Sequence, residues 1–522
     1  MPMAKLKKSD VEHVAKLANL TLSQKELTQY TKQLEAVLDY MDVLNELDTS
    51  AVEPTYQILD DTKNIFREDK VQSSLTQDDA LSSAKDTYNG FFVAADVFGS
   101  KKEKNIPEKA TSRIKLDQYN AILTKANPEG NLGHKDLFVT KGIETTAGSR
   151  VLAGYLPQYD GTVVKLLKDA GYVTKYKLNQ DAWGHGASGE NSDFGPTKNP
   201  WDMSKVSGGS SSGSAVAVAT GVVELATATD TCGSVRMPAS YTNVCGIKPT
   251  YGAVSRYGVI AFASSLDCPS LISSTVTKLR KYFQIIYKGD PLDATSQSKA
   301  RSEHVDKKVK KLGIPREFIS EGIDKETREI FLKATEIYKS LGYEIVDISL
   351  PHTKYGVAAY YIIAPTETAS NLSRYDGVRY GHPRSFFGPE AKRRIMLGTF
   401  ASSAGYVGRY YEKAARARTL IKSDLAKAFE KVDAIVAPVS PIPPYDIGEK
   451  VNDPLQLYLM DVYAAPASLS GVPSLALPCG FTNSGLPTGM QIFGPRWSEG
   501  ALFDLGEKYQ AKTDWHKKKP KV

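Results

Sequence analysis

The sequence predicts an α/β protein that carries a separate helical hairpin and extended tail at its N-terminus. Three observations predict it. Short apolar runs of strand length, at 432–437 and 474–478, alternate with amphipathic stretches of helical period, at 325–341 and 410–429. At 522 residues the chain exceeds what one core normally fills, so two or more cores are expected. The charge is also divided: residues 1–98 carry a net −7, the remainder a net +14.

In the first segment, Ser9-Asp-Val-Glu12 reads as a capping box opening a short helix with Val11, Val14, Ala15 and Ala18 on one face. Ser23-Gln-Lys-Glu26 opens a longer one, with Leu27, Tyr30, Leu34, Val37, Leu38, Met41 and Leu44 at helical spacing. That stripe reads as core or as a surface for a partner. After Pro54 the chain turns polar and extended. Residues 1–98 make a thin core alone, so the segment is expected to lie on something larger. The charged run at 99–110 predicts a linker, and 111–522 forms the large body.

Composition narrows the class of function. The start, MPMAKLKKSDVEH, lacks the apolar run of a secretory signal, and no stretch reaches 18 uninterrupted apolar residues. Cys232, Cys245, Cys268 and Cys479 show no CxxC or Cys/His metal spacing. A reduced, cytoplasmic protein without membrane span, structural metal or cofactor is expected. The basic residues are dispersed and accompany no nucleic-acid motif, so DNA binding is not expected.

The chemistry concentrates in KVSGGSSSGSAVAVATGVVELATATDTCGSVRMPAS, residues 205–240, which holds seven serines and no histidine. Gly/Ser runs are usually linkers, but this one leads straight into small apolar sequence and then a β-branched run at 222–229. A small-residue helix of roughly twelve residues and a strand of roughly seven cover similar lengths, which can bring Ser210 and Ser234 side by side. Gly209-Ser-Ser211-Ser-Gly213 matches the G-x-S-x-G elbow of α/β-hydrolases, with Ser211 as nucleophile. That motif needs a preceding strand and a downstream histidine; Asn199-Pro-Trp-Asp is turn sequence, and His304, His352, His382 and His516 lie in no suggestive context. Ser82-x-x-Lys85 and Ser296-x-x-Lys299 match S-x-x-K in polar sequence of surface character. Without histidine, lysine is the next base. Bringing a lysine from its usual pKa to about 7 takes roughly 4 to 5 kcal/mol of differential destabilisation, so it must be buried. Lys135, in NLGHKDLFVTKG, is a candidate.

The 205–240 stretch resembles the signature of the amidase signature family, whose Ser–Ser–Lys triad uses no histidine. The resemblance implies a mixed central β-sheet covered by helices. It implies Ser234 as nucleophile, Ser210 as the bridging serine on a cis peptide and Lys135 as base. The backbone N–H groups of Thr231, Cys232, Gly233 and Ser234 would face the oxyanion. GENSDFGPTKNPWD, GIKPTYGAVSRYGVIAFASSLD, AYYIIAPTETASNLSRYDGVRYG and AKRRIMLGTF resemble a narrower group, the A subunits of glutamyl/aspartyl-tRNA amidotransferases. VEHVAKLANLTLSQKEL, LNELDTSAVEPT and NIFREDKV resemble their small C subunit. This implies glutamine as substrate, with Tyr360, Arg394 and Asp461 binding it. It also implies a separate B subunit that holds ATP and Mg²⁺ and receives ammonia to amidate aminoacyl-tRNA. Two other readings are a stand-alone small-amide hydrolase and a non-catalytic scaffold. Cys232 stands where the family usually has Gly, a position at which a Cβ is expected to crowd the backbone donors or restrict φ.

Overall fold

A strand with apolar neighbours on both faces has to sit inside a covered sheet, and the body is organised around one such sheet. The computed structural model describes residues 6–59, 66, 68–71, 73–82, 84, 86–94, 115–297, 309–320 and 322–521. The expected linker at 99–110, together with Lys85, Lys299 and His304, lies outside the described residues.

The N-terminal segment holds α1 (Lys8–Leu17), α2 (Gln24–Met41) and α3 (Gln77–Leu81), then a hairpin of β1 (Thr87–Tyr88) and β2 (Phe91–Phe92). The capping box at Ser23 forms as expected: its hydroxyl accepts the Glu26 N–H while Glu26 accepts the Ser23 N–H at 2.8 Å. The one expected at Ser9 does not. The helix starts earlier, at Lys8, and Asp10 accepts the Lys7 N–H at 2.8 Å, which puts Ser9 inside the first turn.

In the body the strands are β3 (Ile122–Lys125), β4 (Leu132–Lys135), β5 (Thr174–Leu178), β6 (Leu225–Asp230), β7 (Cys245–Lys248) and β8 (Cys268–Ser273). They continue as β9 (Lys311–Pro315), β10 (Glu344–Ile348), β11 (Ala434–Pro438), β12 (Ser474–Phe481) and β13 (Pro487–Phe493). These eleven form one mixed sheet in the order β10-β9-β11-β13-β12-β7-β8-β6-β4-β5-β3. β4 lies between β5 and β6 and runs parallel to both, so Lys135 and Asp230 end neighbouring strands at the same edge of the sheet. Ligand sites in such sheets lie outside the carboxyl ends of parallel strands.

Helices cover the sheet: α4 (Thr162–Asp169), α5 (Ser212–Ala219), α6 (Arg236–Thr242), α7 (Val276–Ile286), α8 (Lys325–Ser340) and α9 (Gly356–Asn371). After them come α10 (Pro389–Ser402), α11 (Lys413–Phe429), α12 (Pro454–Leu459), α13 (Ala465–Leu469) and α14 (Glu499–Lys512). The small-residue helix after the serines is eight residues, shorter than expected, because Gly221 at φ +75° ends it and β6 begins only at Leu225. Every residue of α5 is buried, which rules out a linker.

The apolar stripe of α2 is core, shared with the body. Leu27, Tyr30, Leu34, Val37, Leu38 and Met41 join one buried cluster with residues of α9 and α10 such as Ile363, Leu397 and Phe400. The opposite charges of the two parts meet at the rim: Glu26 pairs with Lys392 at 2.8 Å, Glu46 with Lys354 at 3.1 Å and Asp42 with Arg409 at 3.7 Å. Among the described residues no helix is long and apolar enough to cross a membrane. The four cysteines are buried and unpaired.

Exposed rim pairs contribute little, so the apolar face should hold the hairpin down. Val37→Asp puts a charge where the side chain is fully buried. Limited proteolysis should then cut within residues 1–50 while the body resists. Protection equal to wild type would place the holding force elsewhere.

Candidate active site

Lys135 ends β4 with its side chain wholly buried. Its Nζ lies 2.7 Å from Ser210 Oγ, 2.8 Å from Thr229 Oγ1 and 3.0 Å from Ser211 Oγ. Burial pulls its pKa down to about 7, against the opposing fields of Asp181, Asp230 and Asp267. A neutral amine has two N–H groups and one lone pair, so among three hydroxyls it can donate to two and accept from one. Ser211 is not the one it accepts from, because its proton goes to the Thr229 carbonyl at 3.2 Å. Ser211 Oγ also takes the Thr229 N–H at 3.4 Å. Fully buried at the start of α5 with no strand before it, Ser211 is a structural hydroxyl and no elbow nucleophile.

Ser210 follows Gly208 and Gly209, and the Gly209–Ser210 peptide is cis. Gly208 has φ +76°, and a Cβ on Gly209 would land on Asp181 Oδ2, so neither position takes a side chain. Asp181 in turn accepts the N–H groups of Asn191 at 2.8 Å and Gly189 at 3.1 Å.

Beyond β6 the chain makes the turn Thr231–Ser234. Asp230 holds it from beneath. One carboxylate oxygen accepts Gly233 N–H (2.8 Å) and Arg236 Nη2 (3.0 Å), the other Arg236 Nε (3.0 Å) and Val235 N–H (3.2 Å). Both partners are fully buried. The Arg236 pair holds Asp230 below the usual carboxylate range despite its burial. Thr231 Oγ1 donates to Asp267 Oδ1 at 2.8 Å, fixing the other side. Of the four N–H groups expected to face an oxyanion, that of Gly233 is therefore already committed to Asp230. Those of Thr231, Cys232 and Ser234 meet no acceptor among the described residues. The positive φ of the turn, +86°, falls on Gly233, so Cys232 carries no φ restriction. Ser211 N–H donates to the Ser234 carbonyl at 3.1 Å and so ties the two serine segments together. Among the described residues, no hydrogen bond joins Ser210 Oγ to Ser234 Oγ.

Of Tyr360, Arg394 and Asp461, Asp461 lies against this turn, while Arg394 and Tyr360 are within electrostatic reach of Cys232. A Cβ placed on Gly233 would lie 3.3 Å from Asp461 Oδ1. The Arg394 guanidinium stacks 5.0 Å from Tyr361, 5.4 Å from Phe262 and 5.5 Å from Tyr458 and donates through Nε to Glu390 at 2.7 Å. Tyr361, not Tyr360, is the tyrosine that bonds Asp461, at 2.7 Å to Oδ2. Tyr360 packs edge-on against Tyr361 at 4.8 Å. Burial pushes Asp461 up to about 7, and its Oδ1 is buried without a hydrogen-bond partner. A buried arginine and a half-satisfied carboxylate suit a zwitterion. Among the described residues no three His, Cys, Asp or Glu side chains converge as metal ligands would.

Sequence reasoning missed Asp230, Arg236, Thr229, Asp267, Tyr361, Glu390 and His185. Asp230 and Arg236 flank the quoted turn within seven residues, and that spacing was the available signal. His185 lies upstream of the serines; its Nε2 meets Thr368 Oγ1 at 3.3 Å and burial holds it neutral, and among the described residues it makes no hydrogen bond to the serines.

The profile of the amidase family matches residues 132–503. The chain belongs to the amidase family. A second profile, that of the Glu-tRNAGln amidotransferase C subunit, matches residues 22–93. Among amidase relatives, the glutamyl-tRNA(Gln) amidotransferase A subunit of Myxococcus xanthus (strain DK1622) is 49% identical over 407 residues, 74% of this chain and 84% of the relative. Its counterpart in Lactococcus lactis subsp. lactis (strain IL1403) is 46% identical over 406 residues, 74% and 83% of the two. The crystal structure of the glutamyl-tRNA(Gln) amidotransferase A subunit from Thermotoga maritima superposes with TM-score 0.65 at 39% identity, covering 76% of this chain and 86% of that one. The K. lactis urea amidolyase matches at TM-score 0.64 and 29% identity over 73% of this chain but only 23% of its own.

Removing one partner of a buried pair strands the other's charge. Asp230→Ala is expected to lower unfolding free energy by about 3–5 kcal/mol in denaturant titration. A loss below about 1 kcal/mol would mean that Arg236 finds other acceptors.

Proposed function

We propose that this amidase is the glutamine-hydrolysing, ammonia-supplying subunit of a tRNA-dependent amidotransferase. The observation that carries the reading is Lys135, buried among hydroxyls and drawn down to about 7 beside Ser210. Neutral Lys135 takes a proton from Ser210, and Ser210 takes one from Ser234. Ser234 Oγ attacks the glutamine carboxamide carbon. The oxyanion is met by the free N–H groups of the 231–234 turn, each typically worth about 3–4 kcal/mol in such a site. The relayed proton returns to the leaving nitrogen, ammonia departs, and water then releases glutamate from the acyl-enzyme. The transfer from Ser234 to Ser210 requires their hydroxyls to close to hydrogen-bond distance, a contact that commonly tightens only with substrate bound.

In the pocket, Arg394 pairs the substrate carboxylate, Asp461 Oδ1 takes the ammonium, and Tyr360 adds a hydrogen bond. The organisation is a C-subunit-like segment at 1–98, a linker at 99–110 and the amidase domain at 111–522. The match of residues 22–93 to a C-subunit profile favours this over a stand-alone small-amide hydrolase. Ammonia then passes to a B subunit, which holds ATP and Mg²⁺ and amidates Glu-tRNA(Gln) or Asp-tRNA(Asn). The unpaired thiols suit a cytoplasmic setting.

Ser234→Ala should abolish glutamine hydrolysis by the purified chain with its fold retained by circular dichroism. Activity surviving in Ser234→Ala but lost in Ser211→Ala would reverse the assignment.

The pH dependence has a definite sign. Lys135 is neutral above about 7 and protonated below, so kcat falls as pH drops through that value. Asp461 is a carboxylate above about 7 in the free enzyme, so kcat/KM falls there more steeply than kcat. Asp461→Asn should leave kcat/KM with a single-proton acid limb. A wild-type profile flat between about pH 5.5 and 8 is incompatible with a lysine base.

A further inference from the structure

The N-terminal segment touches more than the outside of the body. Two buried arginines of the body reach from it to the side chains around the proposed pocket. The first is Arg418 on α11, fully buried. It donates to the Tyr56 carbonyl of the N-terminal segment (3.4 Å) and to the Leu469 carbonyl (2.8 Å). It also donates to both the carbonyl and the hydroxyl of Ser265 (3.1 Å each). Ser265 is gripped from the other side as well, since its N–H donates to Glu367 at 2.8 Å. The loop so held, 262–267, carries Phe262, over which Arg394 stacks, and Asp267, which fixes Thr231 of the nucleophile turn. Two and three residues past Tyr56, Ile58 and Leu59 pack with Tyr251 and Cys268, immediately beside that loop.

The second path starts at Gln33 on α2. Its Oε1 accepts Arg393 Nε at 3.1 Å, and Arg393 also binds Glu390. Glu390 is the carboxylate that receives Arg394 Nε at 2.7 Å. The N-terminal segment thus stands two side chains from Arg394 on one face and two from the 231–234 turn on the other.

We infer that the N-terminal segment is a working part of the amidase centre, with Arg393 and Arg418 as positioning residues that set Arg394 and the 262–267 loop. This rests on the glutaminase reading for its kinetic consequence, but not for its structural one. The two paths end on different groups and so carry different signatures. Gln33 acts through Arg393 and Glu390 on Arg394, which binds the substrate without entering the chemistry. Arg418 acts on the loop that serves both the pocket and the nucleophile turn.

The test uses the full chain. Gln33→Leu should raise KM for glutamine roughly tenfold and leave kcat nearly unchanged, the mark of lost binding shared by ground and transition states. Arg418→Met should lower kcat as well, with kcat/KM down roughly a hundredfold, and Arg418→Lys should recover part of the loss. Hydrogen exchange supplies a readout independent of any substrate. In Arg418→Met the amides of Phe262 and Ala263, which donate to Asp267, and that of Ser265 should exchange faster, while those of β4 and β12 keep their protection. Wild-type kinetic constants and wild-type exchange in both variants would overturn the inference. So would loss of protection spread evenly into β4 and β12, which marks a merely structural arginine. Absence of glutamine hydrolysis in the wild-type chain would sink the glutaminase reading, while the exchange pattern would still decide the positioning role.

Discussion

Burying an ammonium with only hydroxyls in contact is unfavourable, and the candidate centre depends on that condition being maintained at Lys135. Three aspartates lie close enough to stabilise the charged lysine, and any of them in direct contact would return it to an ordinary ammonium. Each is instead engaged by its own donors. Asp181 is capped by the Gly189 and Asn191 N–H groups, and Asp230 by Arg236 and two turn N–H groups. Asp267 is capped by Thr231 and the Phe262 and Ala263 N–H groups. The same donors give these loops their shape. Electrostatic insulation of the base and construction of the nucleophile turn are one set of bonds.

Sequence patterns exposed these features unevenly. The helix periodicity of the N-terminal stripe, the strand at 474–478 and the buried serine run were legible because each is a local pattern. Gly209 was legible only as part of a motif; its reason, the closeness of Asp181, is a contact between residues 28 positions apart. Ser211 fitted a nucleophile pattern, and its full burial together with the bond from its hydroxyl to the Thr229 carbonyl removes it from candidacy. Arg418, Glu390 and Gln33 carried no signal, because nothing local distinguishes a helix residue facing solvent from one bridging two loops. The φ restriction expected at Cys232 is absent for a simpler reason: the left-handed residue of the turn is its neighbour.

The division of charge along the chain has a structural counterpart. Acidic side chains of the hairpin meet lysines and arginines of α10, of the turn leading into α11 and of the turn before α9. These pairs ring an apolar contact that joins the hairpin to the main core, so the charge pattern selects the docking face while the apolar stripe supplies the affinity.

A segment that resembles a separate subunit docks here on the chain it belongs to. Covalent connection changes the thermodynamics of that contact. The hairpin meets the body at an effective concentration set by the covalent connection itself, whatever the cellular level of the protein. Stoichiometry is fixed at one to one, and dilution cannot dissociate the pair. Assembly with any further subunit loses one bimolecular step. A mutation that loosens the docking face therefore shifts an intramolecular equilibrium that is independent of protein concentration.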